Sequence, residues 1–159
     1  MTVTIRFAHA DDVPIIMGFV RELAAFERAP EAVVSTEALM HEGLFGAHPA
    51  AEALIAEIDG TPVGMAVFFH SYSTWTGRRG IWLDDLYITP AARGGGAGSA
   101  LLRHLAGLAV ERGCARFEWW VLDWNTPAVE LYRRIGAEAM DEWTVQRLSG
   151  DALRALAER

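Results

Sequence analysis

Apolar and polar positions alternate from Val3 to Phe7. They then recur at helical spacing at Val13, Ile16, Phe19, Val20, Leu23 and Phe26, so the chain opens as a strand followed by a helix. Asp11 or Asp12 is placed to cap that helix, Pro14 fits its first turn and Pro30 lies just past its end. A shorter helix is expected behind Ser35 or Thr36, with Leu39, Met40 and Leu44 inward and a stop at Gly46. Residues 53–58 and 62–69 flank Asp59-Gly60, a hairpin signal, and the turn at residues 77–80 leads into a strand over residues 80–88. A helix over residues 98–111 turns Leu101, Leu102, Leu105, Leu108 and Ala109 to one side and closes at Gly113. A strand over residues 116–122 follows, then a helix entered through Asp123-Trp124-Asn125-Thr126-Pro127 and stopped by Gly136. A last strand is expected over residues 142–148 and a short helix from Asp151. The order β-α-α-β-β-β-α-β-α-β implies a mixed sheet of α+β or α/β type in one domain, residues 1–159.

Two places in this pattern carry chemistry. Asp84 and Asp85 interrupt an otherwise apolar strand; adjacent strand positions face opposite sides, so one carboxylate is buried unless a bulge re-aims it. Directly behind that strand, Leu86-Tyr87-Ile88 breaks at Pro90 and the chain passes through Arg93-Gly94-Gly95-Gly96-Ala97-Gly98-Ser99 into the long helix. Glycines let successive backbone amides converge on one point, and a helix start adds unsatisfied donors and the positive end of its dipole. A pyrophosphate is the expected guest. The loop has no Gly-Lys-Ser/Thr ending, and Ser99 stands where a dinucleotide fingerprint needs its third glycine.

Composition narrows the setting. The formal charge is −7 and all 14 basic residues are arginine, so nucleic acid and anionic membrane are poor partners, while a cationic small molecule suits the acidic surface. The longest apolar runs are far short of a membrane span and no basic-then-apolar leader precedes the first strand, which points to the cytoplasm. Cys114, the single cysteine, reads as a small buried hydrophobe, and the five histidines lack metal-ligand spacing, so no metal is expected.

The motif Arg93-x-x-Gly96-x-Gly98, between a strand and a long helix, resembles the acyl-CoA signature of the GNAT superfamily of N-acetyltransferases. The resemblance extends to the spermidine/spermine (diamine) acetyltransferase branch through Arg21 to Glu27, Phe45 to Pro49, Trp82 to Asp85, Asp123 to Pro127 and Leu131 to Ala137. It implies the GNAT fold, with a V-shaped splay between central strands, and acetyl-CoA as co-substrate. The amides of residues 94–99 and Arg93 would hold its pyrophosphate, and Leu86, Tyr87 and Ile88 would run beside its pantetheine arm. The Leu86 N–H would polarise the thioester carbonyl, and Asn125 would contact the cofactor. Tyr132 matches the family's general acid and Asp84 its base, one methylene shorter than the family's glutamate. Phe26, Glu27, Asp85, Glu118, Trp119, Trp120 and Glu142 would line an amine groove. The implied acceptor is a primary amine of a diamine, polyamine or lysine-like amino acid. Ser73 and Phe26 depart from the polyamine pattern, which carries an aspartate and a tyrosine there. An aminoglycoside or protein N-terminus as acceptor, and a non-catalytic acyl-CoA or polyamine-binding module, remain alternatives. The resemblance also implies a homodimer in which residues 143–148 add to the neighbour's sheet.

Overall fold

Five strands form one sheet in the order β1-β2-β3-β4-β5: Val3–Phe7, Glu52–Ile58, Thr61–Ser73, Arg78–Ile88 and Arg116–Trp119. The first four pair antiparallel and β5 joins β4 parallel, through the crossover helix α3 (Ala97–Glu111) that a parallel neighbour requires. Helices α1 (Val13–Phe26) and α2 (Glu37–Phe45) precede β2, and α4 (Thr126–Arg134) and α5 (Gly150–Ala157) follow β5. The computed structural model describes residues 1–159, which fall into two compact units, Met1–Trp120 and Val121–Arg159, where the sequence pattern predicts one domain.

Local chemistry accounts for most of these boundaries. The β2–β3 hairpin turns on Asp59 (φ 49°) and Gly60 (φ 80°), both left-handed as a tight primed turn demands. Thr36 caps α2, its Oγ1 accepting from the Leu39 amide at 3.2 Å. Asp12 does not cap α1 with its side chain. Its buried carboxylate turns back instead, accepting from the His9 amide (2.7 Å) and the Arg6 guanidinium (2.7 and 3.0 Å), and Glu57 takes the remaining Arg6 donor at 2.8 Å. Leu39, expected inward, is 64% exposed, while Leu44 is buried.

The sheet carries a layer on each side. Ile16, Phe19 and Leu44 of α1 and α2 pack with Ala53, Ile55, Met65, Val67 and Tyr87. The alternate positions Leu54, Ala66 and Phe68 turn to the opposite face, where α3 with buried Leu101 and Leu105 crosses the strands.

Two sequence expectations fail at the C-terminal side. β5 ends at Trp119 rather than at residue 122, and the expected strand over residues 142–148 is absent, leaving Trp143, Val145 and Leu148 exposed. No residue of the second unit is buried. An alternating apolar segment becomes a strand only with a neighbour to bond its backbone, and none of the five sheet strands belongs to this unit.

Candidate acetyl-transfer site

The site starts from a one-residue irregularity in β4. Val67 of β3 stands opposite Asp85 and the next residue, Phe68, opposite Leu83, so Asp84 is the extra residue of a bulge. Because Val67 lies on the α1 side, Asp85 does too, and the bulge keeps Asp84 from being forced into the α3 layer. Asp84 is exposed and Asp85 half-buried. Neither carboxylate enters an ion pair. Glu27, the residue that ends α1, joins them: Arg28 adopts a left-handed conformation (φ 63°) that stops the helix there. Burial, and then the nearby charges of Asp84 and Glu27, push the Asp85 carboxyl up to about 6. Burial and the charge of Asp84 raise Glu27 as well. Asp84, Asp85 and Glu27 thus form an acidic cluster at this point of the sheet.

Beside this cluster β4 has an open edge. Pairing with β5 stops at Leu83 opposite Trp119, yet β4 continues to Ile88, which is the expected splay. The Thr89 amide bonds to Val63 of β3 at 2.8 Å, so by strand alternation the Tyr87 amide also faces β3 and those of Leu86 and Ile88 face the open edge. At the end of that edge the chain enters the glycine loop. Gly94 (φ 82°) and Gly96 (φ 86°) are left-handed, and Gly96 precedes α3 directly, so the helix starts one residue earlier than its pattern suggests. The first-turn amides of Ala97, Gly98 and Ser99 have no intrahelical acceptor. The Gly95 amide is already committed to the Ala92 carbonyl (3.3 Å), so it drops out of the expected run of donors. A β-carbon on Gly98 would meet Ile88 Cγ1 at 3.7 Å, an ordinary contact, which makes Gly96 the stricter glycine of the two. Free amides at a positive helix end, in a loop without side-chain obstruction, fit a pyrophosphate.

The acetyltransferase (GNAT) family profile matches residues 19–137, three quarters of this chain. The chain belongs to the GNAT acetyltransferase family. It is 40% identical to a thialysine N-epsilon-acetyltransferase of Sus scrofa and 41% identical to the one of Mus musculus, covering 98% of this chain in both cases and 98% and 97% of those proteins. Among solved structures, an integron cassette protein of V. cholerae superposes with a TM-score of 0.83 at 24% identity over 100% of this chain and 99% of that one. A ribosomal-protein-alanine N-acetyltransferase of Brucella melitensis gives 0.72 at 26% identity, covering 94% and 100%. The acyl donor of this family of enzymes is acetyl-CoA.

Not every residue expected at the acetyltransferase site is placed alike. The Arg93 guanidinium lies 5.1 Å over the Phe26 ring and 5.7 Å over Tyr87, and its Nε donates to the Ile88 carbonyl at 3.0 Å. Phe26 thereby contacts the arginine that opens the glycine loop. Tyr87 is buried, its hydroxyl donating to Glu22 at 2.7 Å, so it contributes backbone and packing to the edge. Glu118 pairs with Trp82, whose ring meets Trp120 edge-on at 5.2 Å. Trp119 alternates to the other face, against Phe117 at 4.8 Å, and leaves the groove wall. Asn125, Tyr132 and Glu142 belong to the second unit. There Asn125 precedes α4 without a side-chain cap, Tyr132 lies on α4 with its phenol raised by burial, and Glu142 is exposed in a turn. Sequence reasoning passed over a small polar cavity at Arg78, Arg79 and Arg116; its only outward sign was the arginine pair after Gly77.

Proposed function

We propose that the protein transfers acetyl from acetyl-CoA directly to the terminal primary amine of a small cationic substrate, with a lysine-like amino acid favoured over a polyamine. The observation that carries this reading is the bulge that gathers Asp84 and Asp85 beside Glu27 at the open edge of β4. An ammonium of pKa about 10 must shed a proton before it attacks a thioester. Asp84, exposed to the entering amine, accepts that proton directly or through a water, and Asp85 and Glu27 hold the ammonium in place. The thialysine substrate named for the curated relatives supports the acceptor class.

When bound, acetyl-CoA supplies an activated acetyl group. The Leu86 amide donates to its carbonyl oxygen as negative charge develops there, and the amides of Ala97, Gly98 and Ser99 hold the pyrophosphate. Tyr132 donates a proton to the sulfur. Its match to the family's tyrosine supports that role. The family resemblance supports Asn125 as a cofactor contact and Glu142 as an amine-binding residue.

The chain acts as one functional domain, since the family match runs across the boundary between its units. It works as a homodimer in the cytoplasm, where acetyl-CoA is available. The exposed apolar side chains of Trp143, Val145 and Leu148 support a segment that pairs with a second copy. The experiment is thiol release from acetyl-CoA against a panel of amines. Turnover of thialysine and lysine above that of spermidine is the expected ranking. Turnover confined to peptides or aminoglycosides would overturn the reading.

A further inference from the structure

On the α1 side of the sheet, past Trp82, lies a cavity of about 50 Å³ lined by Ser71, Ser73, Arg78, Arg79, Arg116 and Glu118 around Gly80. Gly80 pairs with Ser71 on β3 and with Arg116 on β5, so by alternation Ser71, Ser73, Arg78 and Arg116 share the sheet face that carries Trp82 and Glu118, while Arg79, opposite Tyr72, turns to the His70 side. The glycine is required by close approach: a β-carbon there would stand 2.6 Å from Ser71 Oγ and 3.0 Å from the Arg116 carbonyl oxygen. The guanidinium groups of Arg78 and Arg116 are exposed and form no ion pair, and Glu118 is the one carboxylate in the lining. Two such guanidinium groups at one small polar hollow present donors suited to a carboxylate.

We propose that this cavity is the carboxylate subsite of an amino-acid acceptor, with Arg116 and Arg78 as the residues that set specificity. The proposal rests on the amine-acetylating function above and names its substrate class more closely. Spacing carries it. Gly80 and Asp85 stand opposite Ser71 and Val67, which are four strand positions apart on β3, roughly 13 Å. An extended lysine-like amino acid spans roughly 8 Å from carboxyl carbon to terminal nitrogen. A hydrogen bond of about 2.9 Å at each end closes most of the difference. Side chains on one face of a strand stand nearly parallel, so the separation of their end groups follows that of their Cα positions. The acidic cluster takes the ammonium, Trp82 and Trp120 flank the aliphatic stem, and the arginines take the carboxylate. A diamine of the same length would place its second cation beside the guanidinium groups of Arg78 and Arg116, so the cavity rejects what the acidic end accepts.

The test compares thialysine with the diamine that lacks only its carboxylate, in the full-length enzyme and in Arg116→Gln and Arg116→Lys. The readout is the ratio of kcat/KM for the two substrates, in which the folded fraction of a variant cancels. The ratio should favour thialysine in the natural protein, fall at least tenfold in Arg116→Gln and recover in part in Arg116→Lys. An unchanged ratio in Arg116→Gln overturns the subsite and leaves the acetyltransferase reading standing. Failure of the natural protein to acetylate either compound removes both.

Discussion

Asp85→Asn isolates the electrostatic strain stored at the bulge. The side chain keeps its shape and loses its charge, and the charge is what the site penalises: the carboxyl is pushed from 3.8 up to about 6 by burial, Asp84 and Glu27. Below about pH 3.8 the group is protonated in both folded and unfolded chains, and the substitution changes little. Between that pH and about 6 the unfolded chain gives up the proton while the folded chain keeps it, so stability falls as pH rises. Above 6 the penalty is complete. At 1.36 kcal/mol per unit, the shift corresponds to about 3 kcal/mol. Glu27 is raised as well, so it shares this figure with Asp85. Urea unfolding of both proteins at pH 4 and pH 7.5, with equal slopes, should show Asp85→Asn gaining about 2 to 3 kcal/mol of relative stability across that interval. The same variant should lose affinity for the amine, because a receptor for a cation is unstable for the reason that it binds one. A stability difference that stays flat between the two pH values would refute the account of the site as an unneutralised carboxyl cluster.

Tyr132→Phe should lower kcat tenfold or more while leaving the acetyl-CoA dissociation constant, read by equilibrium binding, within about twofold. Gly96→Ala forces a side chain into a left-handed position (φ 86°), so it should cost roughly 1 to 2 kcal/mol and raise the KM for acetyl-CoA more than that for the amine. Asp12→Ala leaves the Arg6 guanidinium to Glu57 alone and removes the acceptor of the His9 amide, which calls for a lower Tm. Arg6 holds the Asp12 carboxyl below its ordinary value, so the loss should shrink as pH falls and Asp12 is protonated in the natural protein too. Trp143→Glu should shift the sedimentation profile from dimer to monomer if residues 143–148 pair with a second copy.

The sequence made some of this legible for clear reasons. α1, α3 and the β2–β3 hairpin were readable because each combines a strong period with a definite stop, such as Gly113 or Asp59-Gly60. The glycine loop was readable because few backbones need so many glycines before a helix. The Asp84-Asp85 bulge could be posed from the sequence only as a choice between burying a charge and breaking the register; the pairing with β3 resolves it. Other features depend on partners that no local pattern reveals. β3 runs on to Ser73 because β4 accompanies it, though Ser71-Tyr72-Ser73 has no apolar alternation. The arginine cavity forms because register sets Gly80 between Ser71 and Arg116, residues 45 positions apart in the chain. Residues 142–148 have the alternation of a strand and no neighbour strand in their own unit, so pattern alone misled there.

The bulge is also the one place where β4 carries a residue that its pairing does not use. Arg78 to Leu83 and Asp85 to Ile88 pair with β3 in one continuous register, and Asp84 is the residue left over between them. Removing Asp84 would join Leu83 directly to Asp85 with Phe68 and Val67 still opposite, so Tyr87 would stay on the α1 side and the Leu86 and Ile88 amides would keep the open edge. Deleting this one position is therefore expected to be tolerated by the fold better than deleting any other residue of β4, because only here does the shortened count return to plain alternation.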